Sequence, residues 1–235
     1  MRAGTATIAT NLERVRERIA RAAERAGRHA EEITIVAVSK TFPASAIREA
    51  YGCGLRHFGE NRVQEWATKR PQVSDLDATW HLVGHLQSNK AQRAARLFHA
   101  VDSLDDVSLA KKLSDAVAQG GASRMPVLLE VRLSHEETKT GVSEAELTRL
   151  AETVLGLPHL DLRGLMTIPP YFENPEGARP IFRKLKQIRD ELSSQLTREL
   201  PELSMGMSHD FEVAIEEGAT QIRLGTALFG ERPKV

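Results

Sequence analysis

Eight short apolar runs alternate with helix-patterned segments along this chain, and that alternation narrows the fold more than any other feature. The runs lie near 33–39, 57–60, 79–84, 97–103, 126–133, 161–168, 203–207 and 221–225. Segments of helical character fill the intervals at 44–51, 61–69, 88–97, 105–118, 143–155, 177–196 and 210–217. Parallel strands need a long crossover, usually a helix, and strands covered on both faces read as near-continuous apolar stretches such as Ile33 to Val38. Eight such units in 235 residues match a closed (β/α)8 TIM barrel. The competitor is an open doubly wound sheet, which carries a glycine-rich turn after its first strand. Here that position holds Ser39-Lys40-Thr41-Phe42-Pro43. The expected fold is therefore α/β, a single TIM barrel over 1–235, with no linker composition to divide it.

An additional amphipathic helix precedes the first strand. Ile8, Leu12, Val15, Ile19, Ala23 and Ala26 recur at three to four residues. Thr10 with Glu13 reads as a capping box, and Glu17–Arg21 and Glu24–Arg28 as i,i+4 pairs on the wet face. Ser88, Ser143 with Glu146, and Asn174 read as helix caps.

Charge excludes some classes. Lys+Arg and Asp+Glu are 32 each, a net charge of zero without basic runs, so nucleic acid and anionic membrane are not expected partners. Cys53 is the single cysteine and reads as a packing residue after a helix, consistent with a reducing compartment. No apolar stretch approaches membrane-spanning length, and residues 1–30 are charged and helical rather than signal-like. The expected location is the cytoplasm.

In a TIM barrel the chemistry sits where strands end. Those ends carry Lys40, Glu60-Asn61, Gly84-His85, Asp102-Ser103, Glu130 with Arg132, Met166-Thr167, Gly206-Met207-Ser208, and Arg223-Leu224-Gly225-Thr226. Loops after strands seven and eight commonly form a phosphate site from glycine backbone, hydroxyls and a helix N-terminus. Ser208 and Gly225-Thr226 stand there; singly, they also read as a serine cap and turn glycines. Lys40 has two readings as well: a salt-bridged lysine at a strand end, or an amine whose proton is lost readily inside apolar walls and which attacks aldehydes. An aldehyde bearing a phosphate, such as pyridoxal 5'-phosphate, would use both features. His81 and His85 lack a third ligand at metal spacing. Asp102, Asp105 and Asp106 read as caps of the helix after strand four, Asp210 as a helix N-terminal residue, and Glu136-Glu137 as a solvated loop.

The motifs AVSKTFP, HFGENRVQE, WHLVGHLQSNK, VDSLD, EETKTGV, GLMTIPP and LSMGMSHDFEVAIEEGATQIRLGTALFGER occur in order from residue 37 onward. This chain resembles the YggS/PROSC family of pyridoxal phosphate homeostasis proteins, whose barrel is similar to that of alanine racemase. The resemblance implies pyridoxal 5'-phosphate as cofactor, held as a Schiff base on Lys40. It implies that Ser208, Gly225 and Thr226 hold the phosphate, that Arg223 faces the pyridine nitrogen, and that Asn61 lies near the ring hydroxyl. His81, Met166 and Met205 are implied as pocket wall. Arg132 and His135 stand where relatives often carry other polar residues.

Arg223 then sets the expected activity. A guanidinium keeps its proton, so a ring nitrogen facing it stays unprotonated and the ring is a weaker electron sink. Racemases of this fold recruit a tyrosine base from a second domain, and no such domain is expected beside this barrel. Tyr51 does not match that position, and Tyr171 remains a minor candidate at the mouth. The expectation is a monomeric, non-enzymatic carrier that buffers the cofactor and passes it to client enzymes. The alternatives are a small pyridoxal phosphate-dependent racemase or lyase, and a cofactor-free Schiff-base aldolase.

Overall fold

The computed structural model describes residues 7–121, 124–133 and 140–231. His135, Glu136 and Glu137 lie outside the described residues. Eight parallel strands close into a barrel in sequence order, the first pairing with the eighth. They are β1 (Thr34–Val38), β2 (His57–Glu60), β3 (Thr79–Leu82), β4 (Ala100–Leu104), β5 (Met125–Glu130), β6 (Leu160–Met166), β7 (Glu202–Met207) and β8 (Gln221–Leu224). The helices are α1 (Ile8–Arg25), α2 (Ala44–Gly52), α3 (Val63–Lys69), α4 (Ala91–Leu97), α5 (Val107–Gln119), α6 (Glu144–Leu155), α7 (Arg179–Gln195), α8 (Phe211–Glu216) and α9 (Thr226–Phe229). The barrel and the additional first helix agree with the sequence reading.

Strand alternation divides the side chains between two environments. Ala37, Phe58, Leu129, Leu203, Ile222 and Leu224 point outward into one continuous core beneath the helices. Val36, Val38 and Val83 form a separate apolar cluster facing the lumen. The helix α1 packs on this shell through Ile8, Leu12, Val15, Ile19, Ala22 and Ala23, and it lies against α8 and α9. Asn11 donates from Nδ2 to the Leu228 carbonyl at 2.9 Å, tying α1 to α9.

Several local expectations change. The α1 cap is Thr7, whose Oγ1 accepts from the Thr10 amide, so the helix starts one turn before the Thr10–Glu13 pattern. Because α1 ends at Arg25, Arg28 pairs with Glu32 at 3.0 Å instead of Glu24. Ser88 opens a single 3-10 turn, Ser88–Lys90, and α4 begins after it without a side-chain cap. Strand β4 starts at Ala100 because Leu97 completes α4; its carbonyl accepts from Trp66 Nε1. Asp106 caps α5 by accepting from the Leu109 amide. Asp102 and Asp105 do not cap it. Asp102 is held by His81 inside the barrel, and Asp105 accepts from the Gly141 amide. Asn174 caps its turn as expected, accepting from the Glu176 amide.

Candidate functional site at the strand C-terminal rim

Strands β7 and β8 lead into the residues expected to form a phosphate site. The backbone at Gly206 has φ of +92°, and a Cβ there would lie 2.5 Å from the Ala214 Cβ. Only glycine meets both conditions, and this bend delivers Ser208 to the rim. The Ser208 Oγ accepts from the amides of Gly225 at 3.2 Å and Ala227 at 3.1 Å. Two N–H groups at the start of α9 thus converge on one oxygen, the arrangement a phosphate oxygen would use. A Cβ built on Gly225 would approach nothing closer than the Val38 carbonyl, at 3.5 Å, so this cradle borders the end of β1.

Lys40 stands two residues beyond Val38, half-buried, in the turn that follows β1. Ser39 turns outward to Glu60, and Lys40 follows it in the turn closed by the Phe42 amide on the Ser39 carbonyl, just beyond Val36 and Val38. Thr41 has φ of +68°, a left-handed conformation that a β-branched residue enters only under constraint.

Arg223 alternates with Ile222 and Leu224 and therefore faces the lumen. It is 4% exposed and donates to Ser204 Oγ at 2.7 Å and to the Thr167 carbonyl at 2.8 Å. Burial draws its pKa down, opposed by the negative charge of Asp102, Glu130 and Asp210; a guanidinium remains protonated regardless. Burial also raises the Glu130 carboxyl, against a hydrogen bond from Thr140 Oγ1 at 2.7 Å. Asn61 follows β2, with its backbone against Gly84; a Cβ at Gly84 would lie 2.5 Å from the Asn61 carbonyl oxygen.

The ends of β1, β2 and β8 adjoin, so Lys40, Asn61 and Gly225-Thr226 stand along one stretch of the rim, with Ser208 hydrogen-bonded to the Gly225 amide and Arg223 below on β8. Met166 is fully buried at the end of β6 and outside the shell core, on the lumen side. Met205 belongs to the outward shell between β7 and the helices, so it does not line the lumen; strand alternation with Ser204 explains this. His81 lies in the barrel interior and lines a cavity of about 540 Å³ at the opposite, N-terminal end, with His57, His99 and Glu202. There His81 Nδ1 meets the Asp102 carboxylate at 3.2 Å and Nε2 meets His57 Nδ1 at 3.0 Å. Burial works against a proton on His81, but Asp102 outweighs it by charge and hydrogen bond, and the pKa lies above the ordinary histidine value. Tyr171 is 80% exposed, with its ring beside His209.

Sequence reasoning missed the buried polar groups behind the rim. Lys69 Nζ lies 2.6 Å from Glu60 Oε1 and 3.0 Å from Glu65 Oε1. The signal was present: Val63, Trp66 and Lys69 share one buried face of α3, where a lysine needs a partner. It also missed the Ala227 amide, which no side-chain pattern announces.

This donor set fits a phosphorylated aldehyde with a ring nitrogen: converging amides, a lysine in the turn after the neighbouring strand, and a buried cation below. Comparisons with known proteins agree. The profile of the family described as "Alanine racemase, N-terminal domain" matches residues 10–233. The pyridoxal phosphate homeostasis protein of Aquifex aeolicus is 51% identical over 221 residues, covering 94% of this chain and 96% of that protein. Its Escherichia coli counterpart is 44% identical over 232 residues, covering 96% and 97%. PipY of Synechococcus elongatus, solved with pyridoxal phosphate bound, is 39% identical with a TM-score of 0.85, covering 95% of this chain and all of that one. Alanine racemase of Clostridium difficile shares the fold at 13% identity and a TM-score of 0.76, covering 97% of this chain and 57% of that one. The motifs, the barrel and the rim geometry thus converge, and the chain belongs to the pyridoxal phosphate homeostasis protein family, built on the alanine racemase N-terminal barrel.

Proposed function

We propose that this protein binds pyridoxal 5'-phosphate, holds it reversibly as a Schiff base on Lys40, and buffers or delivers it to client enzymes. The observation that carries this reading is the adjacency of Lys40 to the amide cradle. Gly225 sits against the end of β1, and Ser208 already presents an oxygen to the Gly225 and Ala227 amides. When bound, the cofactor supplies a reactive aldehyde and an electron sink. Ser208, Gly225 and Thr226 hold the phosphate, Asn61 orients the ring from β2, and Met166 excludes water from the lumen side. Arg223, fixed by Ser204 and Thr167, keeps a proton on its own guanidinium and gives none to a ring nitrogen facing it. That weakens carbanion chemistry and favours storage over turnover. The reading includes a monomer acting in the cytoplasm. No helix among the described residues is long and apolar enough to cross a membrane.

Spectra of the purified protein before and after borohydride test the reading. The expected result is a yellow protein whose reduced adduct maps to Lys40 by peptide mass, and its loss in Lys40→Ala. An adduct retained at the same site in Lys40→Ala would sink the assignment. The amino-acid racemase or lyase alternative predicts Lys40-dependent Cα hydrogen exchange in deuterated water. A wide panel of amino acids without exchange supports the carrier.

A further inference from the structure

Behind the rim, on the outward side of the barrel, Lys69 closes a buried polar cluster around the turn that carries Lys40. Its ammonium donates to Glu60 Oε1 at 2.6 Å, to the Ser39 carbonyl at 2.9 Å and to the Phe42 carbonyl at 3.3 Å. It also lies 3.0 Å from Glu65 Oε1, and that same oxygen accepts from the Thr41 amide at 2.7 Å. Ser39 Oγ donates to Glu60 Oε1 at 2.8 Å. Ser39 and Glu60 have no exposure and Lys69 is 8% exposed. Residues 39, 41 and 42 are therefore each fixed from one side by α3 and the end of β2, and Lys40 stands between them.

Stability does not account for this arrangement. A buried ion pair gains little over apolar residues of the same shape, because desolvation opposes the attraction. Glu60 Oε2 is buried without a hydrogen-bond partner among the described residues, and Thr41 is held at φ of +68°. Each of these costs stability, and both fall beside the lysine proposed to react. Constraint of this kind is useful where the approach of a nucleophile must be set to a fraction of an ångström.

We propose that Lys69, acting with Glu60 and Glu65, is the positioning residue for Lys40: it clamps the Ser39–Phe42 turn so that the amine is presented to an aldehyde whose phosphate lies in the Gly225–Ala227 cradle. The inference rests on the reading of Lys40 given above. Lys69 itself forms no bond to the ligand; it acts through the backbone of the turn.

The test compares wild type with Lys69→Met and with Glu60→Gln/Lys69→Met, which removes both charges and keeps the shapes. Two quantities are read: the rate at which pyridoxal 5'-phosphate forms its borohydride-trappable Lys40 adduct, and amide hydrogen exchange at Thr41 and Phe42 without ligand. In both variants adduct formation slows by about 10- to 100-fold, and the two amides exchange faster while the far-side helices keep wild-type protection. Folded variants that react at the wild-type rate would overturn the inference while leaving the carrier reading intact. A wild type that forms no Lys40 adduct overturns both. Should Lys69→Met fail to fold, Glu65→Ala decides by the same readouts, because it removes the Thr41 tie and leaves the Lys69–Glu60 pair.

Discussion

At the scale of single residues, position in the pleat decides chemistry more than residue type does. Met166 and Met205 are both buried methionines near strand ends, yet one faces the lumen and the other the helical shell. Lys40 and Lys69 are both lysines of the rim region, but one stands in the turn after β1 and the other bonds to the backbone of that turn from α3. Gly206 is the most sharply constrained position in the bend that carries Ser208. Replacing it with alanine adds a Cβ 2.5 Å from the Ala214 Cβ at a backbone φ of +92°. Gly206→Ala is expected to destabilise the fold by about 1–3 kcal/mol. It should also weaken phosphate binding through displaced Ser208. Urea denaturation and a phosphate-ligand titration check the two effects separately, and wild-type values in both would refute the assignment.

At the scale of elements, α1 is the piece that an ordinary eight-unit barrel does not require. It covers α8 and α9, and α9 supplies the Ala227 amide of the cradle. Leu12 is 2% exposed on the buried face of α1. Leu12→Ala should cost about 2–5 kcal/mol, as large-to-small changes in a packed core do. A stability loss below the low end of that range, taken from the chemical-denaturation midpoint and slope together, would mean α1 is loosely applied. On the other flank, Arg179 of α7 reaches Glu216 of α8 at 2.6 Å and the adjoining Glu217 at 2.9 Å. It thereby fixes α8, the helix behind Ser208, against its neighbour.

At the scale of the whole molecule, the barrel separates two polar ends. The rim holds the proposed ligand groups, and the foot holds His57, His81 and His99 around a cavity. Asp102 links the two, touching His81 by hydrogen bond and Arg223 through its field. The folded pKa of His81 lies above its reference of 6.5. Its contribution to stability is therefore complete below about 6.5 and is lost as pH rises through the folded value. His57 is lowered, first by burial and then by the charge of His81, and runs the other way. Denaturation midpoints across pH 5 to 9, roughly the span around a histidine, should show wild type losing its advantage over His81→Asn as pH rises. A constant difference across that range would show that His81 keeps one charge state.

The sequence by itself determined the barrel, because eight alternations of apolar run and helix leave a parallel closed sheet few rivals. It also placed Lys40, Ser208 and Gly225-Thr226 at strand ends, because strand ends are legible wherever apolar runs stop. Tertiary structure alone decided which way side chains point once bulges interrupt alternation, as between Ser204 and Met207. It alone joined Lys69 to the Ser39 and Phe42 carbonyls across 30 and 27 residues. It likewise sent Asp102 to His81 instead of the α5 cap. These outcomes rest on pairings between distant segments, made only when the sheet closes, and a local pattern carries no record of its distant partner.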